Sequence, residues 1–571
     1  MAILFFFFRM SSTPEEVASP MTPAENVEEN LNQRQGFSSE NFKIEIQNLP
    51  KFWGIGQMKK LLVKKMNINP HKIKPCGPGA KYMFMNFANE EDREAAIAKL
   101  NGFELKGRKL KAFKMRPAKD PMLKMKEKED EVEVDDRPPR ERILSVVCPL
   151  FEKTYQEQMD AKKGTIEEVL KTLRHNFMKQ NGFFKSHGIE ESQLAVLEDI
   201  IPSPQIKGYR NKCEFTIGRH PESNEPVVGF RLASYRKGSV AVVEIDHLPI
   251  VSDEMKSVVK HFEQFVRTSK FEPFDNVSQK GNWKQLTVRQ GFGTGDLLVW
   301  TILHPQDLTQ EDQDQLKADL KAHFETFEPK VTSLNIQFFG QRMKGQGQGN
   351  DLPPVMCLNG EGSIKEKLMD LEFKVSPQAF FQVNTQGAEK LYKACGDIAN
   401  LDDQTILFDV CCGTGTIGLC LASKVKEVHG VDIIEESVKD ANENAKKNGI
   451  TNAHFHAGRA EFILPELLRK HDKGKTVAIV DPPRAGLHPK AVFALRASNI
   501  DSLVYVSCDA KAAMNNFIDL GRMTSKAYKG DPFVPKKVIP VDLFPHTNHF
   551  ELIIYFERFP LKKSLKCEET E

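Results

Sequence analysis

The sequence predicts a multidomain α/β protein: an α+β sandwich near the amino terminus, a β-rich central domain and a carboxy-terminal doubly wound parallel sheet. Three observations predict it. From Phe42 the hydrophobic pattern runs β-α-β-β-α-β, the split βαβ layout. Between residues 209 and 360, short alternating strands are separated by Gly, Asn and Pro turns. From about residue 385, short apolar strands alternate with helices, the pattern of a parallel sheet covered on both faces. With 571 residues, 40% of them hydrophobic, the chain is long enough for several separate cores.

In order, residues 1–40 are rich in Ser, Thr, Pro, Glu and Asn and read as a disordered tail. FKIEIQNL is a strand, Gln57 to Met66 a helix, HKIK a short strand, YMFMNF another, EEDREAAIAKLNG an amphipathic helix, and GRKLKAFKMR a basic closing strand. This unit spans 41–117. Residues 118–142 mix opposite charges with prolines and read as a solvated linker. A helix over about 155–180 precedes the strands RNKCEFTIGRH, VVGFRLA, KGSVAVVEI, QLTVRQG and GDLLVWTIL, and the loop 340–350 is flexible and mildly basic. Helical segment and strands form a central region, 143–375. The doubly wound domain covers 376–558 and a short tail 559–571.

Composition narrows the function classes. A net charge of +2 gives no global attraction to nucleic acid, so any basic surface is local. No apolar run approaches the ~20 residues needed to span a bilayer. MAILFFFFRM is shorter still, has no basic region before it and no small-residue cleavage site after it, and does not read as a signal peptide. Ten cysteines form no CxxC pair and no Cys/His cluster with zinc spacing, so neither a disulfide framework nor a metal is expected. A reducing compartment follows, cytosol or nucleus.

The chemistry concentrates in the last domain. DVCCGTGTIGL passes from strand end to helix start, and Gly413, Gly415 and Gly418 let the backbone turn tightly beside a ligand. Asp432 ends the next strand, where a carboxylate can accept ribose hydroxyls. Dinucleotides and S-adenosylmethionine both fit this loop. The strand LVYVSCDA decides between them, because it delivers Cys508 to its tip and hydride transfer needs no such cysteine. IVDPPRAG places Asp481 at a third strand end, with Arg484 where base-amino methyltransferases carry an aromatic. Cys508 is the candidate nucleophile, its thiol expected to be lowered by local positive potential or a helix start. Cys411 and Cys412 read as packing residues. Glu551, in HTNHFELIIYF, is the candidate base, with His546 and His549 nearby.

Several segments together resemble the uridine-5 methyltransferases of RNA, the TrmA/RumA-type class I methyltransferases. DPPRAG followed by LVYVSC matches one signature, VDLFPHTNHFE a second and SPQAFFQVN a third; YRNKCEF and GFRLASYRKGS resemble the family's central domain. The resemblance covers about 201–556. It implies a class I, Rossmann-like methyltransferase domain that binds S-adenosylmethionine, uses no metal, and has Cys508 as nucleophile and Glu551 as proton acceptor. Gln382, Cys411, Thr416, Asp432 and Asp481 fall on its cofactor positions. Cys411 replaces a frequent aromatic, Asp509 a usual Asn and Ala512 a frequent Thr. The iron–sulfur cysteines and the TRAM module of some members are absent. In the implied reaction the thiolate adds to carbon 6 of uracil, carbon 5 takes the methyl group, and a base removes the carbon 5 hydrogen.

Residues 42–115 resemble an RNA-recognition motif. Tyr82 and Phe84 would stack bases, although Glu45 replaces a usual aromatic; Lys109 and Lys111, with Lys106, Arg108, Lys114 and Arg116, would hold phosphates. Joined to the resemblance above, this implies an enzyme that meets tRNA in cytosol or nucleus and methylates the T-loop uridine of cytosolic tRNA, other RNAs remaining open; a monomer is favoured, the oligomeric state being otherwise open. The rival reading is an RNA-binding, tRNA-folding protein whose catalysis is dispensable. A DNA cytosine-5 methyltransferase is disfavoured, because that family presents its cysteine after a proline and here Ser507 precedes it.

Overall fold

The computed structural model describes residues 42–50, 53–75, 81–115, 137–180, 184–185, 188–232, 241–276, 278–340, 353–471 and 474–559. The tail 1–40, most of the linker, most of the loop 340–350, Arg116 and the last residues lie outside the described residues. The chain divides into two units, one built on residues 42–115 and one running from 137 to 559.

In the first unit, strands β1 (Lys43–Gln47), β2 (Lys72–Pro75), β3 (Met83–Asn86) and β6 (Lys111–Lys114) form a sheet in the order β2-β3-β1-β6, with β4 (Glu104–Leu105) and β5 (Arg108–Lys109) as a separate hairpin. Alternation sends Ile44, Ile46, Met83, Met85 and Ala112 into a core with Met58, Leu62, Ala96 and Leu100 of the helices Ile55–Lys60 and Glu90–Leu100 and the π-helical turn Leu61–Lys65 between them. Asn89 caps the second helix by accepting from Asp92 N at 2.8 Å.

The second unit carries two sheets. Strands β8 (Lys212–Arg219), β9 (Pro226–Arg231), β10 (Val242–Val243), β11 (Trp283–Gln290), β12 (Leu297–Leu303), β13 (Ser333–Phe338) and β14 (Met356–Asn359) make a seven-stranded sheet, ordered β10-β9-β8-β11-β12-β13-β14. The helices Asp253–Thr268 and Gln310–Glu325 cover it through Met255, Val258, Phe262, Leu316 and Leu320. After the hairpin β15 (Ile364–Leu368) and β16 (Leu371–Val375), the strands β17 (Ile406–Val410), β18 (Glu427–Asp432), β19 (Ala453–Ala457), β20 (Thr476–Val480), β21 (Ser502–Ser507), β22 (Phe533–Val541) and β23 (Glu551–Arg558) build the second sheet. Its order is β19-β18-β17-β20-β21-β23-β22, completed by β7 (Val196–Leu197). The first five strands are parallel; β23 runs antiparallel between β21 and β22. Alternate residues feed opposite cores: Leu407, Val428, Ile479 and Val504 one, Phe408, Ala478, Val480 and Tyr505 the other.

Two segments sit differently from the sequence reading. The stretch taken as the end of the linker becomes the helix Pro139–Val147: proline at its start pre-sets the backbone, and Ile143 is fully buried in the β-rich core. The helix Tyr155–Gln180, grouped above with the β-rich region, packs on the carboxy-terminal sheet through Ile166, Val169, Leu170 and Leu173. A Cβ on Gly521 would lie 2.0 Å from the Phe177 ring, which is why glycine stands at that crossing.

Candidate active site

The parallel strands β17, β18, β20 and β21 end at one edge of the sheet, where crossover topology places ligands. Asp432 closes β18, Asp481 follows β20, and Cys508 follows β21. Because β23 runs the other way, its first residue arrives at the same edge. Ser507 pairs with Leu552, so the next positions along the register, Cys508 and Glu551, stand side by side.

The glycine loop leaves β17 through Cys411, whose φ is +67°, and enters the helix Thr416–Leu421 through Gly415 at φ +79°. Gly415 has no room for a side chain: a Cβ would meet the Phe455 ring at 2.7 Å. Gly418 N donates to Asp409 Oδ2 at 2.9 Å, and Gly413 N to Asp432 Oδ2 at 3.0 Å, so the carboxylates shape the loop they flank. Above Gly413 the space is open, nothing lying within 4 Å of a Cβ built there. Thr416 Oγ1 is hydrogen-bonded to Tyr392 Oη at 3.1 Å. Cys411 is half-buried and Cys412 buried; burial pushes both thiols up, so both are neutral packing groups.

Gln382 reaches the site from the segment joining the two sheets. Its Nε2 donates to Asp481 Oδ2 at 3.3 Å. Its carbonyl accepts from Asn211 Nδ2 at 2.7 Å, and Asn211 N donates to Val383 O at 2.8 Å. Asn211, buried immediately before β8, therefore holds Gln382 from the other sheet's side. Asn384 continues the seam: it caps the helix Thr385–Ile398 and donates to Ser203 Oγ and Leu543 O.

Electrostatically the site is acidic. Burial pushes the Asp481 carboxyl up to about 7, against the Gln382 hydrogen bond, and Asp409 up to about 7, with Asp481 and Asp432 adding to the effect. Glu551 is held well above the usual carboxylate range by burial and by Asp481, Arg484 opposing; its Oε2 is buried without a partner. The Cys508 thiol is pushed up to about 12 by burial first, then by Glu551, with Arg484 again opposing. The expectation of a lowered thiol is thus reversed. Asp509 does cap the helix Ala510–Gly521, accepting from Ala512 N at 3.0 Å, but burial and three nearby carboxylates outweigh that helix start. Carboxylates that crowd a ligand cleft suit a cationic guest and disfavour a pyrophosphate, so the donor set fits S-adenosylmethionine, with its sulfonium and ammonium charges, better than a dinucleotide.

His546 is fixed by its hydrogen bonds. It sits at φ +66°, buried, donating its N–H to Gln158 Oε1 at 2.7 Å, and its Nδ1 lies 3.2 Å from Gln158 Nε2. It anchors the turn. The same helix supplies Lys162, whose Nζ donates to Asp542 Oδ1 at 2.6 Å and Phe544 O at 3.0 Å, and Tyr155, whose hydroxyl donates to Asp542 Oδ2 at 2.9 Å. Asn516 plays a similar part for the Asp481 loop, bonding both Leu487 N and Leu487 O and accepting from Tyr505 Oη at 2.8 Å. Sequence reasoning missed these positioning residues. It also missed Phe113: on the open face of the first unit's sheet, Phe84 and Phe113 flank Glu45 in one cross-strand row, and Tyr82 meets Phe84 edge-on at 5.8 Å. Lys109 and Lys111 are exposed beside that face, whereas Lys114 pairs with Glu90 at 3.4 Å.

Fold and site together define a class I methyltransferase. A methyltransferase-domain family profile matches residues 401–511, and an RNA recognition motif profile matches residues 47–111. The human tRNA (uracil-5-)-methyltransferase homolog A is 40% identical over 533 residues, covering 91% of this chain and 83% of that protein. The human homolog B is 39% identical over 426 residues, covering 73% of this chain and 84% of its own. The crystal structure of Pyrococcus abyssi tRNA (uracil-54, C5)-methyltransferase in complex with S-adenosyl-L-homocysteine has the same fold, with a TM-score of 0.51, 22% identity, and coverage of 80% of this chain and 91% of that one. The chain belongs to the tRNA (uracil-5-)-methyltransferase family. No helix among the described residues is long and apolar enough to cross a membrane.

Proposed function

We propose that this chain methylates carbon 5 of uridine in RNA, that its substrate is the T-loop uridine of cytosolic tRNA, and that catalysis passes through a covalent bond to Cys508. The observation that carries the reading is the β21–β23 register, which sets a thiol beside a buried, unpartnered carboxylate at the cofactor edge. S-adenosylmethionine, when bound, supplies an electrophilic methyl group. Gln382, Thr416, Asp432, Asp481 and the loop at Cys411 would hold it. The Cys508 sulfur bonds carbon 6 of the pyrimidine, which loads carbon 5 with electron density. Once carbon 5 has bonded the methyl group, Glu551 takes the remaining proton from carbon 5, and the carbon–sulfur bond breaks to restore the ring. Arg484 is the cation that acts on both groups, favouring the thiolate and the carboxylate that the cycle needs.

A uridine must leave its stack to reach this edge, which costs a few kcal/mol, roughly, and is easiest in a loop. Tyr82, Phe84 and Phe113 offer stacking surfaces, and Lys109 and Lys111 phosphate contacts, for the RNA. Cysteines that are unpaired among the described residues suit a cytosolic or nuclear setting.

The test incubates the full chain with labelled S-adenosylmethionine and unmodified tRNA, followed by nucleoside analysis, and in parallel with 5-fluorouracil-containing RNA. The reading expects 5-methyluridine at the T-loop position and a protein–RNA adduct lost in Cys508→Ala. Folded protein that binds tRNA yet gives neither product would favour the tRNA-folding alternative.

A further inference from the structure

A cluster remote from the methyltransferase edge has no part in the chemistry above. Glu427 and His429 are two residues apart on β18 and so share a face. β19 lies alongside with His454 paired to His429 and His456 paired to Val431, which puts both histidines on that same face. The helix Ala460–Lys470 covers this face, and His471 follows its last turn. The sequence separations match no metal motif; the parallel pairing of β18 with β19 and the helix end bring the groups together.

The geometry is compact. His429 Nε2 lies 3.2 Å from Glu427 Oε1, His454 Nε2 3.3 Å from the same oxygen, and His471 Nδ1 3.9 Å from Glu427 Oε2. One ligand atom each from Glu427, His429 and His471 falls within a mutual 4.8 Å. Around a zinc-type ion with bonds of about 2.1 Å, tetrahedral ligands stand about 3.4 Å apart, which these spacings bracket. His429 is almost wholly buried, and its Nε2 makes no hydrogen bond despite the nearby carboxylate. Its other nitrogen, Nδ1, faces His456 Nε2 at 3.4 Å, the kind of contact that fixes the tautomer of a ligating imidazole.

We infer that Glu427, His429 and His471 form a binding site for a borderline divalent transition metal of the zinc type, with His456 orienting His429. One carboxylate and imidazole nitrogens are the donor set such ions take, and the ion would satisfy the orphaned His429 nitrogen. The sequence expectation of no metal is replaced by this proposal. The site lies toward the start of β18, five residues and about 17 Å along the strand from Asp432. Its role is to fasten the helix Ala460–Lys470 to the sheet, not to act on the substrate.

The experiment strips the full chain with chelator and titrates Co²⁺ alone, following its visible d–d absorption, then displaces it with Zn²⁺. The expected result is one equivalent per chain, without the thiolate charge-transfer band that a cysteine site would give. His429→Gln and His471→Gln should each weaken binding on the order of a hundredfold, and His456→Ala about 10–100-fold. The exposed His488→Gln should leave it unchanged. His471 is at a helix end, so that variant reports even if His429→Gln fails to fold. Absence of stoichiometric binding by folded protein, or binding unaltered by His471→Gln, would overturn the site and mark the cluster as a stacked histidine packing arrangement.

Discussion

Gln382 donates its side-chain amide to the Asp481 carboxylate across 3.3 Å, joining a segment between two sheets to the end of a central strand. The bond favours the ionised carboxylate against a burial that pushes it up to about 7. Gln382→Ala removes it and raises the Asp481 carboxyl further. A hydrogen bond to a charged group is worth about 1.5–3 kcal/mol. The expected outcome is a loss of S-adenosyl-L-homocysteine affinity of about ten- to a hundredfold at pH 7, read by calorimetry, with part of the loss recovered at higher pH.

In the proposed mechanism Glu551 and Cys508 have separable tasks. Glu551→Gln keeps the side-chain shape but cannot take a proton, so turnover falls by about 10²–10⁴. Protein covalently joined to RNA should accumulate, visible as a heat-stable band in a denaturing gel. Cys508→Ala should give no such band and no methylation while still binding tRNA. Accumulation of adduct in the alanine variant would refute the assignment of the nucleophile.

Arg484 lowers the thiol that burial raises to about 12. Removing the cation in Arg484→Gln must move Cys508 further up, leaving less thiolate at any pH below the new value; each unit is a factor of about ten in thiolate. Peptide-resolved alkylation of Cys508 by iodoacetamide should slow at neutral pH and its profile shift to the alkaline side. The exposed Cys357 provides the internal reference.

Lys162 and Asp542 are both fully buried and meet at 2.6 Å, so the helix Tyr155–Gln180 grips the segment that leads to Glu551. Lys162→Met leaves a buried carboxylate short of its counter-charge and should destabilise the fold by about 3–5 kcal/mol. Lys162→Met combined with Asp542→Asn should recover much of that loss in a denaturant titration, since neither charge is then stranded.

Asp409 is buried, raised to about 7, and has one carboxylate oxygen without a partner. Between its ordinary value near 4 and about 7 the folded chain binds the proton more tightly than the unfolded chain. Its contribution is therefore full below pH 4 and fades as pH rises through 7. Asp409→Asn should flatten the fall in Tm over that window, and an unchanged slope would remove Asp409 as its source.

Much of the architecture was legible because it depends on local pattern. The apolar runs of ILFDV, TVAIV and SLVYVS mark buried parallel strands, and alternation in KIEIQ and MFMN marks a sheet with one open face. Cys508, Asp432 and Asp481 could be placed at strand ends for the same reason. The protonation of Cys508 could not be read this way. A helix start beside it suggested a lowered thiol, and only the assembled site shows how much water is excluded and how many carboxylates face it. Phe113 was passed over because its partner Glu45 is distant in sequence; the pairing of β1 with β6 makes it part of a platform.

Composition and periodicity by themselves marked most strands of the two outer domains and several of their helices, since a side chain's burial follows from its place in a period of two or 3.6 residues. They also placed a strand-end cysteine and a glycine loop in one domain. The tertiary structure alone decided that Glu551 stands beside Cys508, that Asn211 of one sheet holds Gln382 against the other, that Lys162 braces Asp542, and that Glu427 meets His471. Each of these depends on strand order, register or helix docking. Desolvation and charge act through space over a few ångströms, and no spacing along the chain encodes which distant groups will share that space.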